Sequence, residues 1–346
     1  MSTSLAVKYR PQTFDNVIGQ PYTVEVLTNQ IKNGTVGKCY LYTGPSGVGK
    51  TTVARIFGKM IDGEIIEIDA ASNNGVENVR NINDHVKFKP LTNAYKVYII
   101  DECHMLSRGA WNALLKTLEE PPSFVVFILA TTEPHKVPAT ILSRSQRFNF
   151  VKPLLHEIKS NLKHILTSEG KDVPEDITTY VCKLSDGGVR SSITMTEAIL
   201  NMSGELTVER VYELLGQIPT SYFIEIVLAV VTQDGKGILE QINKYNNEGI
   251  NFTRFTEQLC LFLLDLKKYI LTRNMKYLNV SEQYEPEIRG ILNTVVQLYD
   301  GDVDMLWKVI KHVHDELLDF YYKSYKLVPQ QALLTSKLLQ LAENRV

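Results

Sequence analysis

A parallel α/β core flanked by helices, followed by an all-α region, is the fold class this sequence predicts, on three observations. Short apolar runs, the strand candidates, alternate with helical stretches from residue 22 to about residue 150. Helical spacing alone continues from about residue 156 onward. Between the first strand and its helix stands Gly44-Pro45-Ser46-Gly47-Val48-Gly49-Lys50-Thr51, with Thr52 opening the helical run. Strand, glycine loop and helix in that order are the setting of a phosphate-binding loop. The glycines let the backbone turn tightly and aim N–H groups at phosphate oxygens, and the helix N-terminus adds partial positive charge. In such a loop Lys50 reaches the β- and γ-phosphates and the Thr51 hydroxyl ligates Mg²⁺.

Residues 1–20, punctuated by Pro11 and Gly19, read as an extended, turned arm rather than a helix. The arm fits either packing on the core or a flap on the adenine side of a nucleotide. A helix is expected at 22–32, with Val24, Val26, Leu27 and Ile31 near one face, and the first strand at Lys38–Thr43. Ile65–Ile68 is a second short apolar run, and Ser72 or Asn73 is placed to cap the helix that carries Val76, Val79 and Ile82. Lys96–Ile100 is almost wholly apolar and ends in Asp101-Glu102, the pattern of a strand buried on both faces of a parallel sheet. Ligands of such sheets bind at the carboxyl ends of strands. Asp101 is thereby suited to hold Mg²⁺ through water, and Glu102 to orient and polarise an attacking water. Gly109–Glu120 reads as a helix stopped by Pro121-Pro122. Phe124–Ala130 is another buried strand, and Thr132 beyond it is either a γ-phosphate sensor or the cap of the next turn.

Ile141–Phe148 reads as a loop in which Arg144 is either a solvated charge or an arginine finger reaching a neighbouring subunit's site. Short helices are expected at 156–169, 174–186 and 189–202, with Arg190 at the start of the third placed to reach back to the γ-phosphate. Pro219 marks a boundary. Beyond it, Phe252, Phe255, Leu259, Phe262, Leu263, Leu266, Tyr269 and Ile270 keep the spacing of a packed helical core, as do Leu306, Val309, Ile310, Val313, Leu317 and Phe320.

At 346 residues the chain has room for about two or three domains. Its 44% hydrophobic and 22% charged content is that of a soluble globular protein. A formal net charge of −2 excludes a global basic field, so any DNA contact has to be a local patch. Four cysteines stand far apart with no CxxC, which argues for buried thiols in a reducing cytoplasm and against a zinc module or disulfide framework. No signal peptide and no run of about 20 apolar residues stands out, so no membrane partner is expected.

Several segments together resemble one family. They are Lys8-Tyr9-Arg10-Pro11 with Phe14, Val17, Gly19 and Gln20; the glycine loop; Glu67-Ile68-Asp69-Ala70-Ala71-Ser72; Asp101-Glu102-Cys103-His104-Met105-Leu106-Ser107; Leu114-Leu115-Lys116-Thr117-Leu118-Glu119-Glu120-Pro121-Pro122; and Ile141-Leu142-Ser143-Arg144. They look like the gamma/tau family of bacterial DNA polymerase III, the ATPase subunits of the sliding-clamp loader, within the AAA+ superfamily. The resemblance runs over essentially the whole chain. It implies an AAA+ P-loop NTPase core at 1–155, a small helical lid at 156–218 and an all-α collar at 219–346 that holds a pentameric ring. ATP and Mg²⁺ are the implied cofactors. Gly44 to Thr52 and Arg10 would surround the nucleotide, with Thr51 and Asp101 on Mg²⁺. Glu102 would be the catalytic carboxylate, working with Lys50. Thr132 and Arg190 would be the first and second sensors, and Arg144 the finger acting across a subunit boundary. Helices from Asn73 and Ser107 would line a central chamber, with Arg80 and Arg108 toward DNA phosphates.

The function implied is ATP-driven loading of a sliding clamp. ATP binding closes the ring and opens the clamp on primer–template DNA, and hydrolysis releases it. Implied partners are the other loader subunits, the clamp, DNA and single-stranded DNA-binding protein, in a bacterial cytoplasm. An AAA+ ATPase of another replication or recombination task, such as branch migration, shares the core chemistry and is the alternative. Two features depart from the family pattern. Met60–Glu64 leads almost directly into Ile65, where family members carry a four-cysteine zinc module, so no zinc is expected. The sequence also stops at Val346, without the longer form's tail, as a trimmed, phage-encoded or truncated loader subunit would.

Overall fold

The computed structural model describes residues 3–204, 206–323 and 330–343. Among the described residues five strands form one sheet: β1 (Cys39–Thr43), β2 (Gly63–Asp69), β3 (Tyr95–Asp101), β4 (Val125–Thr131) and β5 (Gln146–Asn149). Every pairing is parallel, in the order β2-β3-β4-β1-β5. Successive side chains of the central strands alternate between two cores. Leu41, Tyr98, Ile100, Phe127 and Leu129 enter one, and Tyr42, Val97, Ile99, Val126 and Ile128 enter the other. Both faces are covered, which is why these strands read as unbroken apolar runs. The register brings the carboxyl ends level, with Thr43 opposite Thr131 and Asp69 opposite Asp101.

In the same part of the chain the helices are α1 (Leu5–Lys8), α2 (Pro21–Lys32), α3 (Lys50–Met60), α4 (Val76–His85), α5 (Arg108–Glu119), α6 (Ala139–Leu142), α7 (Leu155–Ser168) and α9 (Val189–Leu200), while α8 (Glu175–Leu184) is divided between the two compact units of the chain. Leu27 of α2 and Val53, Ile56 and Phe57 of α3 cover one face. Val79 and Ile82 of α4 and Trp111, Leu114 and Leu118 of α5 cover the other. Phe127 is fully buried there and stacks on Tyr98, ring centroids 5.3 Å apart. Phe127→Ala leaves a cavity the sheet cannot collapse into and is expected to cost about 3–5 kcal/mol. An earlier urea transition would show this; a transition at the parent's midpoint would contradict it.

Contacts divide the chain into two compact units. One holds the residues up to Asp172 with Val181–Leu200, the other Val173–Tyr180 with the residues from Asn201. Among its described residues the second unit is helical: α10 (Val208–Leu214), α11 (Thr220–Val231), α12 (Gly235–Asn247), α13 (Phe252–Thr272), α14 (Glu285–Leu298), α15 (Val303–Lys323) and α16 (Gln330–Glu343). Packing of α13 on α15 buries Phe255, Leu259, Leu263 and Leu266 together with Leu306, Ile310 and Leu317, the stripes expected from their spacing. All four cysteines are buried free thiols. No helix among the described residues is long and apolar enough to cross a membrane.

Three expectations are corrected. The N-terminal arm is not wholly extended: Leu5–Lys8 forms one helical turn and Phe14–Asn16 a 3-10 turn, each anchored by a buried side chain, Leu5 and Phe14. Neither Ser72 nor Asn73 caps α4. Gly75 stands at that position, while Ser72 Oγ and the Asn73 amide both turn back to Asp69. Ile141–Phe148 is not a loop throughout, because α6 ends in it and β5 begins in it. Only Phe148 of β5 is buried, so the strand has no apolar alternation to announce it.

Candidate functional site

The turn after β1 is dictated by its glycines. Gly44 sits at φ +146°, and a Cβ there would stand 2.3 Å from the Phe150 carbonyl oxygen. Gly49, at φ +104°, turns the chain directly into α3. The Gly44 N–H donates to the Thr131 carbonyl at 3.2 Å and the Phe150 N–H to the Thr43 carbonyl at 2.7 Å, which ties the base of the loop to the strand ends. Lys50 Nζ donates to the carbonyls of Gly44 at 2.8 Å and Pro45 at 2.7 Å, and the residue is only 5% exposed. Burial pushes the ammonium's pKa down, while the carboxylates of Glu102 and Asp101 pull it up. A buried cation folded over a turn of backbone N–H groups suits a polyanion.

Asp101 ends β3. Its Oδ2 accepts from Thr51 Oγ1 at 2.6 Å and its Oδ1 from the Glu102 N–H at 3.0 Å. A hydroxyl and a carboxylate meeting beside a phosphate loop are the hard oxygen donors that Mg²⁺ takes. Among the described residues no three His, Cys, Asp or Glu side chains converge as a metal cluster. A Mg²⁺ at Thr51 and Asp101 would therefore complete its shell with phosphate and water oxygens. Glu102 has a left-handed backbone, φ 45°. Its Oε2 accepts from Thr132 Oγ1 at 3.0 Å and from the Thr132 N–H at 3.3 Å, so Thr132 stands behind Glu102.

Lys50, Thr51, Asp101 and Glu102 open on a cavity of about 580 Å³, within the size range of small-molecule sites, and Thr132 does not line it. The loop from Ser46 to Thr52 forms one wall, and Asp69, Asp101 and Glu102 stand at the strand ends. Tyr9, Arg10, Pro11, Val17 and Ile18 come from the N-terminal arm, Asn161 and His164 from α7, and Arg190 and Ile193 from α9. The arm is pinned in place. Lys8 Nζ and Tyr9 Oη donate to Glu169 Oε1 at 2.6 and 2.5 Å, and the Leu5 N–H donates to Glu197 Oε1 at 3.1 Å. The head of α9 docks on the loop, the Val189 and Arg190 N–H groups donating to the Gly47 carbonyl at 3.1 and 3.4 Å. Burial, and then the charge of Arg55, lowers the pKa of Arg10; Glu67 opposes the shift and Arg190 adds to it. An anion in the cavity would relieve that crowding of cations.

Of the residues expected from sequence, Arg10, Ser46, Gly47, Val48, Gly49, Lys50, Thr51, Thr52, Asp101, Glu102 and Arg190 line this one cavity. Gly44 and Pro45 do not line it; their carbonyls accept from Lys50, which does. Arg144 does not line it. Its guanidinium pairs with Glu119 Oε1 at 2.9 Å and donates to the Thr140 carbonyl at 2.8 Å, with 38% of the side chain exposed. Arg80 and Arg108 are exposed on α4 and α5. Sequence reasoning missed Asn161, His164 and Ile193, which look like ordinary positions of amphipathic helices and carry no local signal. The N-terminal arm does both things the sequence allows: Phe14 packs into the core, and Tyr9, Arg10 and Pro11 line the cavity.

A family model described as DNA polymerase III, delta subunit, matches residues 58–153. The DNA polymerase III subunit tau of Bacillus subtilis (strain 168) is 37% identical over 286 residues, covering 75% of this chain and 51% of that protein. The tau subunit of Escherichia coli (strain K12) is 36% identical over 273 residues, covering 72% and 42%. The DNA polymerase III subunit gamma of Buchnera aphidicola subsp. Schizaphis graminum is 32% identical over 358 aligned residues, covering 95% of this chain and 96% of that protein. The chain thus spans about half or less of these tau relatives and nearly all of that gamma relative. Among solved structures, the RuvB Holliday junction branch migration motor of Thermotoga maritima matches at TM-score 0.50 and 18% identity, over 86% of this chain and 87% of that one, a likeness of fold.

Proposed function

The chain belongs to the gamma/tau family of bacterial DNA polymerase III subunits, and from that membership we propose that it is the ATPase motor subunit of a sliding-clamp loader. The reading rests on the convergence of Lys50, the Thr51–Asp101 pair and Glu102 on one cavity at the strand ends. ATP phosphates lie along the N–H groups of the glycine loop, and Lys50 exchanges the carbonyls of Gly44 and Pro45 for β- and γ-phosphate oxygens. Thr51 and Asp101 would hold Mg²⁺, which when bound would draw off phosphate charge. Glu102 orients a water at the γ-phosphorus and takes its proton as the new P–O bond forms and the bond to the β–γ bridging oxygen breaks, leaving ADP and phosphate. Thr132, bonded to Glu102, senses the γ-phosphate, and Arg190 contacts it from the lid. Arg10 and the arm close over the base.

Residues 1–155, 156–218 and 219–346 act as core, lid and collar. Arg144, off its own cavity, enters the site of the next subunit in a pentameric ring. ATP binding closes the ring and opens the clamp, and primer–template DNA enters near Arg80 and Arg108. Hydrolysis then releases the clamp.

Lys50→Ala is expected to weaken ATP binding about 100-fold or more, through loss of charge-assisted bonds to two phosphates. Equilibrium titration with a fluorescent ATP analogue measures it, and an unchanged affinity would remove the site. The loader role is tested by ATP-dependent retention of a sliding clamp. DNA-stimulated hydrolysis indifferent to any clamp would contradict it.

A further inference from the structure

Resting on the hydrolysis site proposed above, the geometry points to His104 as a positioning residue for Glu102. The imidazole is only 7% exposed, and each ring nitrogen faces a carboxylate. Nδ1 lies 3.3 Å from Glu102 Oε2, and Nε2 lies 3.2 Å from Glu133 Oε1. Nδ1 is also 3.0 Å from Thr131 Oγ1, which in turn accepts the Glu133 N–H at 3.0 Å. Nδ1 hydrogen-bonds Thr131 Oγ1 and lies in polar contact with Glu102, and Nε2 lies in polar contact with Glu133. The ring therefore bridges the end of β3 to the turn after β4. A side chain that served only as core filling would not present both nitrogens to acceptors.

The outer end of this bridge is fixed as well. Lys136 Nζ holds Glu133 Oε2 at 2.8 Å, and His135 Nε2 lies 3.6 Å from the same oxygen. The hydrogen bond from Lys136 keeps Glu133 below its ordinary carboxylate pKa, so it remains an acceptor for the imidazole. The result is a line of contacts running Lys136, Glu133, His104, Glu102. At its inner end, the Thr132 N–H, the Thr132 hydroxyl and His104 Nδ1 all converge on Glu102 Oε2. That leaves Oε1 as the oxygen that takes the proton from water. Thr132 approaches from β4's end, while His104 approaches from the 3-10 turn Cys103–Met105, so the carboxylate is clamped from two elements. A general base must be held to within a fraction of an ångström to work, and a loose one costs up to about 100-fold.

The test is steady-state ATP hydrolysis by the full chain, assembled with the subunits it co-purifies with. His104→Ala is expected to lower kcat about 10- to 100-fold and to leave the KM for ATP and the binding of a fluorescent ATP analogue unchanged. His104→Asn places an amide N–H where Nδ1 stands and is expected to stay within about threefold of the parent, whereas His104→Gln reaches only toward Glu133 and is expected to be as slow as alanine. A parental kcat for His104→Ala overturns the proposal. So does equal impairment of the asparagine and glutamine variants, which also decides the matter if the alanine variant does not fold. Glu102→Gln is run alongside. If it is dead while His104→Ala runs at full speed, only the positioning role fails. If Glu102→Gln turns over normally, the hydrolysis-site reading fails and takes the positioning role with it.

Discussion

Arg144→Ala is expected to leave ATP affinity within about threefold of the parent and to cut turnover of the assembled ring by about 10³-fold. Within its own chain Arg144 lies off the cavity, paired with Glu119, so its deletion removes nothing from the pocket that receives ATP. A guanidinium delivered by a neighbour meets the phosphoryl oxygens as charge shifts in the transition state, and its loss therefore falls on kcat. Lost stability is a poor rival explanation. The Arg144–Glu119 pair is partly exposed on both sides, and such pairs contribute about 0–1 kcal/mol. Hydrolysis by the assembled complex, with and without primer–template DNA, is the measurement. A parental rate would mean that the finger is another residue.

Glu102→Gln is expected to lower kcat by about 10²- to 10⁴-fold while ATP still binds. Glutamine keeps the shape of the side chain, and its amide oxygen can still accept the Thr132 N–H and hydroxyl that now hold Oε2. What it loses is the ability to take a proton from water. The variant should accordingly bind ATP and clamp and stall there. Single-turnover hydrolysis at the parental rate would move the catalytic carboxylate elsewhere, Asp69 being the next acid on the cavity wall.

The parts of the molecule that were legible in the sequence are those in which the physical constraint is local. β1, β3 and β4 are buried on both faces, so each needs an apolar side chain at nearly every position. The glycine loop needs positive φ at Gly44, Gly47 and Gly49, and that need is written in the residue types. The Asp101-Glu102 pair was placed correctly at a strand end because a parallel sheet aligns its strand ends. β5 was not legible, since an edge strand with one buried residue has no period to detect. The α4 cap failed because Asp69 outcompetes the helix for Ser72 and Asn73. The cavity's far wall was hidden for another reason. Tyr9 meets Glu169, and Asn161 and His164 join the loop, across more than a hundred residues of sequence. His104 sat inside a recognised segment without a role, because its meaning lies in Glu133 at the end of the next strand.

The central claim is that each hydrolysis site is shared, with Lys50, Asp101 and Glu102 on one chain and Arg144 on the next. The most direct measurement assembles Arg144→Ala chains together with Glu102→Gln chains and follows ATP turnover. Each variant alone is expected to be inactive. In mixed rings an intact Glu102 faces an intact Arg144 at some interfaces, so turnover is expected to return to a substantial fraction of the parental rate. A mixture no faster than either variant alone, with native mass spectrometry confirming mixed rings, would contradict the shared site.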